Sequence, residues 1–474
     1  MGRCQGLNNY RRLLKLSNTR RSYMPKALIW GESLVGSGHA RVQSELARKL
    51  QEKGWEVSVI TSSKAHTDHF DFGKANMIYQ PQLKLKTPES DPYKIANLVT
   101  PDGKSLSTDM EYRKQRKEKL LNVYYDIRPD AIITEMWPYA RANFDFELIP
   151  LAEAIKNDEN RDLTPAPRLY SIARDIMFPP KISSPDSPGL NNDRHTIAYK
   201  YFKAGSIFAR ADKSIISLEA SIGAIPEHLY QNIEYVGYFG YRPRQKDPDI
   251  RDETREVLVS SGGGVTRDSI TLYKKSIAAR KFSSFKNRIW RILIPHGCST
   301  ETLMEISSLA SAEDSGGRII VEHNRTDFPD LLSNAALLIC HGGNMIVEAV
   351  SANIPLLVVP RQFAKNNLEQ QIRARAFYDK GLTELATISE IDDPVYLAEK
   401  LDSAAKLPRS VFSVEHEGAD RVAERITQHF IDKNKFMPLP GSLQPMKPVN
   451  WKQSNGLIIY KYKTVKKGRI GFGR

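Results

Sequence analysis

Short apolar runs alternate with stretches of helical periodicity along most of this 474-residue chain. In the first half the pattern predicts strands at 26–30, 56–61, 131–134, 168–172, 213–217 and near Tyr235. Helices are predicted there at 40–53, 111–126 and 195–210, and a long polar loop at 80–110. In the second half strands are predicted at 256–260, 290–295, 318–321, 335–340 and 355–360, and a last helix at 414–431. Such alternation predicts parallel sheets covered by helices.

A proline-rich, charged segment at 242–254, RPRQKDPDIRDET, separates the two series and has the composition of a linker. We therefore predict an α/β fold with two Rossmann-like, doubly wound parallel-sheet domains that face a cleft. The predicted divisions are a basic tail at 1–25, an N-terminal domain at 26–241, the linker at 242–254, a C-terminal domain at 255–412, a closing helix at 413–432 and a basic tail at 433–474.

The net charge of +14 belongs to the two ends of the chain rather than to its body. Residues 1–26 hold seven Lys and Arg and residues 433–474 hold ten, with no acid in either, which leaves 52 basic and 55 acidic residues for 27–432. Such tails suit an anionic surface such as lipid headgroups or nucleic acid, although solvated ends are the simpler explanation.

Cysteine usage and hydropathy bear on the compartment. The three cysteines, Cys4, Cys298 and Cys340, share no metal-ligand or redox spacing. No apolar run approaches the roughly 18 residues of a membrane-spanning helix. These features predict a reducing, cytoplasmic location, with peripheral attachment to the inner face of a membrane through the tails left open. No carboxylate pair with metal spacing stands out, so neither a metal nor a cofactor is expected.

The most informative segment begins where the apolar run 335–340 stops at Cys340-His341-Gly342-Gly343 and a helical pattern starts. A strand, a glycine turn and a helix present free backbone N–H groups to a phosphate, with Asn344 at the start of the helix. Glu348, one turn later, can accept hydrogen bonds from ribose hydroxyls. After the next strand, adjacent Glu369 and Gln370 can bind further hydroxyls. Phosphate and then hydroxyls is the order of groups along a nucleotide-sugar.

Further candidates lie at the ends of other predicted strands. The glycine run Ser261, Gly262, Gly263 and Gly264 follows the first strand of the second half and suits close contact with a diphosphate, or else a hinge. His39 lies in the first glycine turn, which lacks GxGxxG spacing and the acid that a dinucleotide site requires, so a dehydrogenase is excluded. A neutral His there can take a proton from an attacking hydroxyl, and Glu135 and Asp175 are competing bases or partners for it.

The second half resembles the donor-binding domain of two-domain GT-B glycosyltransferases, in the MurG-like branch with the family 28 C-terminal domain. The first half resembles a subgroup of predicted glycosyltransferases. Its marks are GSGHAR from Gly36, RPDAIITEMWP from Arg128, FELIP from Phe146 and RDIM from Arg174. One departure concerns the turn. The family pattern is His-Gly-Gly-x-Asn-Thr-x-x-Glu, and anchoring it on Asn344 and Glu348 puts Cys340 at the His and Met345 at the Thr. Either His341 contacts the phosphate from a shifted turn, or that contact is lost.

The resemblance implies a donor site built from the second-half residues named above, with His296 near the nucleobase, and His39 as the base on the acceptor side. It implies a metal-independent, inverting hexosyltransferase that uses a UDP-sugar as co-substrate and an unknown acceptor hydroxyl on a small molecule, lipid or glycan. Two alternatives stay open. One is a UDP-sugar 2-epimerase of the same fold, and the other is a catalytically degenerate sugar-nucleotide-binding protein.

Overall fold

The computed structural model describes residues 23–34, 38–62, 64–87, 90–160, 167–177, 189–239, 249–262, 265–314, 316–325, 327–362, 368–407 and 417–434. Most of both predicted tails, most of the predicted linker, Gly36, Gly263 and Gly264 therefore lie outside the described residues. One compact unit extends to Phe430 and contains both large sheets, and a second begins at Ile431. None of the described helices is both long and apolar enough to cross a membrane.

The first sheet has seven parallel strands drawn from the first half of the chain. The strands before the linker are β1 (Lys26–Trp30), β2 (Glu56–Thr61), β3 (Asn76–Tyr79), β4 (Lys84–Leu85), β5 (Leu98–Val99), β6 (Ala131–Glu135), β7 (Arg168–Arg174), β8 (Ile207–Arg210) and β9 (Ile233–Tyr235). Their order in the sheet is β3-β2-β1-β6-β7-β8-β9, and β4 and β5 form a separate antiparallel pair. This pair lies within the segment predicted as an unstructured loop.

The helices of the first half cover both faces of that sheet. They are α1 (Gly38–Glu52), α2 (Lys64–Thr67), α3 (Met110–Ile127), α4 (Asp145–Asn160), α5 (Gly189–Tyr201), α6 (Glu219–Ile222) and α7 (Glu227–Tyr230). Helix α1 buries an apolar stripe with Leu46 and Leu50 at helical spacing, which is why the pattern predicted it. The prediction missed β3 and α4, whose burial depends on partners distant in sequence.

The second sheet has six parallel strands. They are β10 (Val257–Ser260), β11 (Trp290–Ile294), β12 (Ile319–His323), β13 (Leu337–Cys340), β14 (Leu356–Val358) and β15 (Glu384–Leu385). Their order, β12-β11-β10-β13-β14-β15, is the doubly wound order of a Rossmann fold. The helices are α8 (Arg267–Ala279), α9 (Thr300–Glu313), α10 (Phe328–Ser333), α11 (Met345–Ser351), α12 (Leu368–Asp379), α13 (Pro394–Lys406) and α14 (Gly418–Asn434). The predicted fold class, with two parallel-sheet Rossmann-like domains, is confirmed.

Two predicted elements near the end of the first domain are wrong. The helix predicted at 195–210 ends at Tyr201, and the strand predicted at 213–217 is instead β8, earlier in the chain. Gly205 lies in the loop that follows, where a Cβ would lie 1.8 Å from the carbonyl oxygen of Leu169 in β7. Ile215 and Ile216 are apolar because they are buried in a loop, packed in one cluster with second-domain residues such as Leu338.

The last helix returns to the first domain. Val422 and Ile426 of α14 are fully buried in a cluster with Ala27 and Val57 of the first sheet. Trp55 also donates from Nε1 to Thr427 Oγ1 at 2.9 Å. Burial of this apolar face removes hydrocarbon surface from water and so stabilises the packing of α14 on the first sheet.

A buried cluster of charged side chains contacts the segment that follows β1. Arg116 is fully buried and donates from Nη2 to Glu32 Oε1 at 2.8 Å and from Nε to Glu147 Oε2 at 3.0 Å. Glu32 also accepts from the Ser62 hydroxyl at 2.6 Å. Each carboxylate thus has partners, which a charge buried away from water requires. The cluster holds the chain at the end of β1, immediately before α1.

Candidate active site

Three charged side chains stand at the carboxyl edge of the first sheet. Glu135 ends β6, Arg174 ends β7 and Arg210 ends β8, and these three strands are neighbours. Because the strands are parallel, their carboxyl ends meet at one edge, which is where α/β proteins bind ligands. The N-terminus of α1, with His39 as its second residue, lies at the same edge.

His39 and Glu135 form a hydrogen-bonded pair. His39 Nδ1 lies 2.5 Å from Glu135 Oε1, and the two side chains are only 14% and 3% exposed. Burial lowers the pKa of His39 below 6.5, and outweighs the opposite effect of Glu135. For Glu135, burial opposes ionisation, but His39 and Arg141 outweigh it and lower its pKa. With Nδ1 directed at the carboxylate, Nε2 is the nitrogen that can accept a proton.

The second carboxylate oxygen of Glu135 has its own support. Gln43 Nε2 lies 3.4 Å from Glu135 Oε2, and its side chain is buried. Gly31 makes room for it, because a Cβ at that position would lie 2.3 Å from Gln43 Nε2. The glycine that ends β1 thus serves the His39–Glu135 pair through packing. The sequence interpretation missed Gln43, since a Gln in an amphipathic helix carries no distinguishing signal.

On the opposite wall, His341 is held away from the open turn. It follows β13, is 1% exposed, and its Nδ1 lies 2.6 Å from the carbonyl oxygen of Val359. A carbonyl only accepts, so Nδ1 carries the proton and Nε2 has none to give. Burial and the charge of Arg361 lower the pKa of His341 to about 4, which keeps it neutral. In this tautomer His341 therefore has no side-chain proton to donate to a phosphate.

The two glycines of this turn differ. A Cβ on Gly342 would lie 2.6 Å from the carbonyl oxygen of Gln370 in α12, so that glycine is required for helix packing. A Cβ on Gly343 would meet nothing within 4 Å. The space beside Gly343 is therefore open, while its backbone N–H donates to the carbonyl oxygen of His341 at 2.9 Å. Helix α11 then begins at Met345, with Asn344 at the N-cap but without a side-chain capping bond.

Three ion pairs cross between the two walls. Arg41 Nη1 lies 2.5 Å from Glu348 Oε1, and Arg174 lies 3.2 Å from Glu369. The third is buried, with Arg373 donating from Nε and Nη2 to Asp175 at 2.6 and 2.8 Å. The pairs therefore bring both predicted donor-site carboxylates, at 348 and 369, against arginines of the first domain.

Asp175 is bound to Arg373 rather than to His39. Both of its oxygens are used, and Arg373 also donates from Nη1 to the carbonyl oxygen of Gly342 at 2.7 Å. Burial would raise the pKa of Asp175, but Arg373 outweighs it and lowers the pKa. Of the two acids predicted as competing bases or partners, the structure places Glu135 at the histidine and uses Asp175 as a link between domains.

The remaining predicted donor residues lie at the carboxyl edge of the second sheet. Ser261 is buried and accepts from the Tyr273 hydroxyl at 2.6 Å, while Gly262 has a φ of +82° that favours glycine. His296 stacks on His323 with ring centroids 5.1 Å apart. Gln370 Oε1 accepts from the backbone N–H of Arg361 at 3.3 Å. These residues follow β10, β11 and β14, so the topology brings them to one edge.

The sequence interpretation missed four arginine and tyrosine side chains that line this region. They are Arg41, Arg210, Tyr238 and Arg361. Arg361 donates from Nη2 to the Ser261 carbonyl oxygen at 2.9 Å, and the other three line a pocket between α1 and α11. Arg210 and Arg361 each stand at or just after a strand end, which is a signal that could have found them.

Comparison with known proteins agrees with this arrangement. Residues 286–428 match the glycosyltransferase family 28 C-terminal domain. The chain is 22% identical over 405 residues to the NDP-glycosyltransferase YjiC of Bacillus subtilis (strain 168), which covers 82% of this chain and 94% of that protein.

Several solved structures share the fold. The glycotransferase of kitacinnamycin has a TM-score of 0.55 at 15% identity, over 86% of this chain and 100% of that one. MurG of Acinetobacter baumannii has a TM-score of 0.50 at 14% identity, over 87% and 100%. The UDP-GlcNAc 2-epimerase of Methanocaldococcus jannaschii has a TM-score of 0.52 at 12% identity, over 85% and 100%. At these identities the structures show the fold alone. Residues 286–428 therefore match the glycosyltransferase family 28 C-terminal domain, and the chain is similar to glycosyltransferases in sequence and in its two-sheet fold.

Proposed function

We propose that the protein transfers a hexose or N-acetylhexosamine from a UDP-sugar to an acceptor hydroxyl, with inversion and without a metal ion. The observation that carries this proposal is the position of α1. His39, at its start, is paired with Glu135, and Arg41, two residues later, contacts Glu348 of the opposite wall. One helix therefore joins a base to the carboxylate that the resemblance assigns to the donor ribose.

The reaction follows from the state of His39. Its Nε2 takes the proton of the acceptor hydroxyl while the acceptor oxygen attacks the anomeric carbon. The bond from that carbon to the diphosphate breaks on the opposite side, and UDP leaves with the electron pair. The Glu135 carboxylate holds the imidazole in the required tautomer and stabilises the imidazolium that forms.

The charge on the departing diphosphate needs donors in a site without a metal ion. Arg361 lies on the donor wall, and Arg174 faces that wall from the first domain. Preorganised charged donors of this kind stabilise charge that develops during the reaction. Because Glu369 is held by Arg174, a sugar hydroxyl that binds Glu369 displaces part of this ion pair and makes the arginine available.

The first test is release of UDP from UDP-GlcNAc, UDP-Glc and UDP-Gal in the presence of a panel of hydroxyl acceptors. We expect His39→Ala to reduce turnover by about 10²- to 10⁴-fold, because general base catalysis is lost. Glu348→Ala is expected to raise the donor KM. The matched control is His69→Ala, since His69 is exposed and lies after α2. Equal turnover by the His39 and His69 variants would contradict the assignment of the base.

The same assay separates the two alternatives. A donor epimerised at carbon 2 of its sugar, without sugar transfer to any acceptor, would indicate an epimerase like that of Methanocaldococcus jannaschii, which shares the fold. UDP binding without turnover would indicate a degenerate binding protein. Met345 in place of Thr and the neutral, buried His341 are the features that favour the degenerate protein.

We also propose that the basic tail, by its charge, holds the protein at the inner face of an anionic membrane, in the cytoplasm. Its support is the run of ten Lys and Arg without an acid in 433–474. Juxtaposed basic residues are attracted to anionic lipid headgroups by about 1 kcal/mol each near the surface. Such attachment places the transferase next to a lipid acceptor.

A further inference from the structure

Arg210 is a buried cation without a hydrogen-bond partner among the described residues. It ends β8, is 8% exposed, and its Nε is shielded from water with no acceptor. Its guanidinium forms a cation–π contact with Phe239, with the guanidinium carbon 5.4 Å from the ring centroid. An unpaired buried charge costs free energy that folding must offset elsewhere. Such a group persists where it has a function.

The neighbouring carboxylates do not supply the missing acceptor. Glu135 is hydrogen-bonded to His39, and Asp175 uses both oxygens on Arg373. These two and Glu45, which lines the same pocket as Arg210, lie close enough to stabilise the charge of Arg210, but none of the three forms a hydrogen bond with it. Burial and the nearby charge of Arg174 lower the pKa of Arg210 to about 10, so the guanidinium is still charged at neutral pH.

Arg210 lines a pocket that contains two more unpartnered polar groups. The pocket lies between one face of α1 and one face of α11. Among its lining residues, Tyr238 Oη and Ser351 Oγ are also buried without a hydrogen-bond partner. A guanidinium and two hydroxyls can each donate a hydrogen bond, and the three come from β8, the segment after β9 and α11. The carboxylates Glu45 and Glu348 line the same pocket, and Glu348 is paired with Arg41. Independent elements thus direct unused donors to one place.

We propose that this pocket binds an anionic oxyacid group, a phosphate or a carboxylate, through Arg210, Tyr238 and Ser351. A planar guanidinium matches the paired oxygens of such a group. The pocket adjoins the Arg41–Glu348 pair, so the anion belongs either to the donor diphosphate or to an acid group of the acceptor. The assignment of the anion to the donor or to the acceptor rests on the proposed glycosyl transfer. The existence of the anion site does not depend on that proposal.

The test measures binding of inorganic phosphate to the full-length protein by calorimetry and by thermal unfolding. We expect phosphate to raise the Tm of the wild type. Arg210→Met is expected to weaken phosphate binding by about tenfold or more, as for loss of a hydrogen bond to a charged group. Without phosphate, the same variant is expected to melt no lower than the wild type, because an unpartnered cation is removed. A residue with only a structural role would show the opposite change.

The matched control is Arg255→Met. Arg255 is buried to a similar degree, 7% exposed, but it is paired with Asp252 at 2.8 Å. We expect this variant to lose stability and to bind phosphate as the wild type does. Tyr238→Phe combined with Ser351→Ala keeps the packing nearly unchanged and is expected to weaken phosphate binding as well. The proposal is overturned if Arg210→Met and this double variant both bind phosphate with wild-type affinity.

UDP and uridine identify the source of the anion. If the donor diphosphate occupies the pocket, phosphate competes with UDP and Arg210→Met weakens binding of UDP but not of uridine. If the acceptor supplies the anion, UDP and phosphate bind together and UDP binds the variant normally. UDP release from a UDP-sugar is measured on the same preparation. Phosphate binding without turnover would support the anion site and contradict the proposed glycosyl transfer. Turnover without phosphate binding would support the glycosyl transfer and contradict the anion site.

Discussion

Two acids with similar positions in the chain have different partners in the folded protein. Glu135 and Asp175 each stand at or next to the carboxyl end of a strand in the first sheet. Glu135 lies under α1 and meets His39, whereas Asp175 extends to the second domain and is bound on both oxygens by Arg373. The adjoining elements, rather than residue type, assign one to the base and the other to the domain contact.

Replacement of Glu135 by Gln is expected to reduce kcat for UDP release by roughly 10²-fold or more, because the imidazole loses both its orientation and the carboxylate that stabilises its protonated form. The donor KM changes little, since the donor contacts lie on the other wall. A steady-state comparison of Glu135→Gln with the wild type measures this. A large rise in KM with kcat retained would show that Glu135 binds substrate instead.

The pH dependence of kcat/KM for the wild type can be predicted from the protonation of His39. Burial lowers the pKa of His39 below 6.5, and only the neutral form can act as a base. The value of kcat/KM is therefore expected to be constant around neutral pH and to fall as the pH drops through that lowered pKa. A midpoint above 6.5 would contradict the assignment. Uridine binding, which does not need the base, serves as the control across the same range.

The buried Asp175–Arg373 pair gives a stability prediction. Arg373→Met leaves a buried carboxylate without its partner, and removal of one member of such a pair lowers the free energy of unfolding by about 3–5 kcal/mol. Arg375→Met is the matched control in the same helix, because Arg375 is 65% exposed and its pair with Asp379 is on the surface. Denaturant unfolding distinguishes the two. Equal stability of both variants would show that the pair is not structurally important.

At the scale of the elements, the wrong predictions concern segments whose packing partners lie elsewhere in the chain. The run KSIIS at 213–217 is apolar enough for a strand, but Ile215 and Ile216 pack as a loop against the second domain. The loop after α5 packs through Gly205 against the backbone of β7, which lies more than thirty residues earlier in the chain. Periodicity reports that a segment is buried, but it does not report which surface buries it.

Gly205→Ala tests this contact. The added Cβ would lie 1.8 Å from the Leu169 carbonyl oxygen, so either β7 or the loop before β8 must move. Overpacking of this kind costs about 1–3 kcal/mol or more. Gly297→Ala is the control, since a Cβ there meets nothing within 4 Å. We expect a clear fall in Tm for the first variant and little change for the second, and the reverse order would refute the contact.

At the scale of the whole molecule, the two sheets are joined by contacts that no local pattern reveals. Helix α14 belongs to the end of the chain, yet Val422 and Ile426 pack on the first sheet. The crossing ion pairs of Arg41 and Arg174 bring the walls of the cleft together.

The charge of the C-terminal tail is a property of the whole chain as well. Deletion of 435–474 removes nine Lys and Arg and no acid. We expect the truncated protein to lose binding to phosphatidylserine-containing vesicles, with the loss greatest at low ionic strength because exposed charges are screened by salt. Vesicles of phosphatidylcholine alone are the control. Unchanged binding to anionic vesicles after truncation would reject the proposed attachment.

The sequence by itself determined the two parallel sheets and the segments that line their carboxyl edges, including those that carry Glu348 and Glu369, since strand patterns and glycine turns are local. Only the tertiary structure decided that His39 pairs with Glu135, that His341 is turned inward to Val359, and that Arg210 lies buried without a hydrogen-bond partner among the described residues. These properties depend on side chains that meet across strands and domains. Hydrogen bonds, burial and pKa values are set by contacts between residues that are distant in sequence, and local sequence patterns do not specify those contacts.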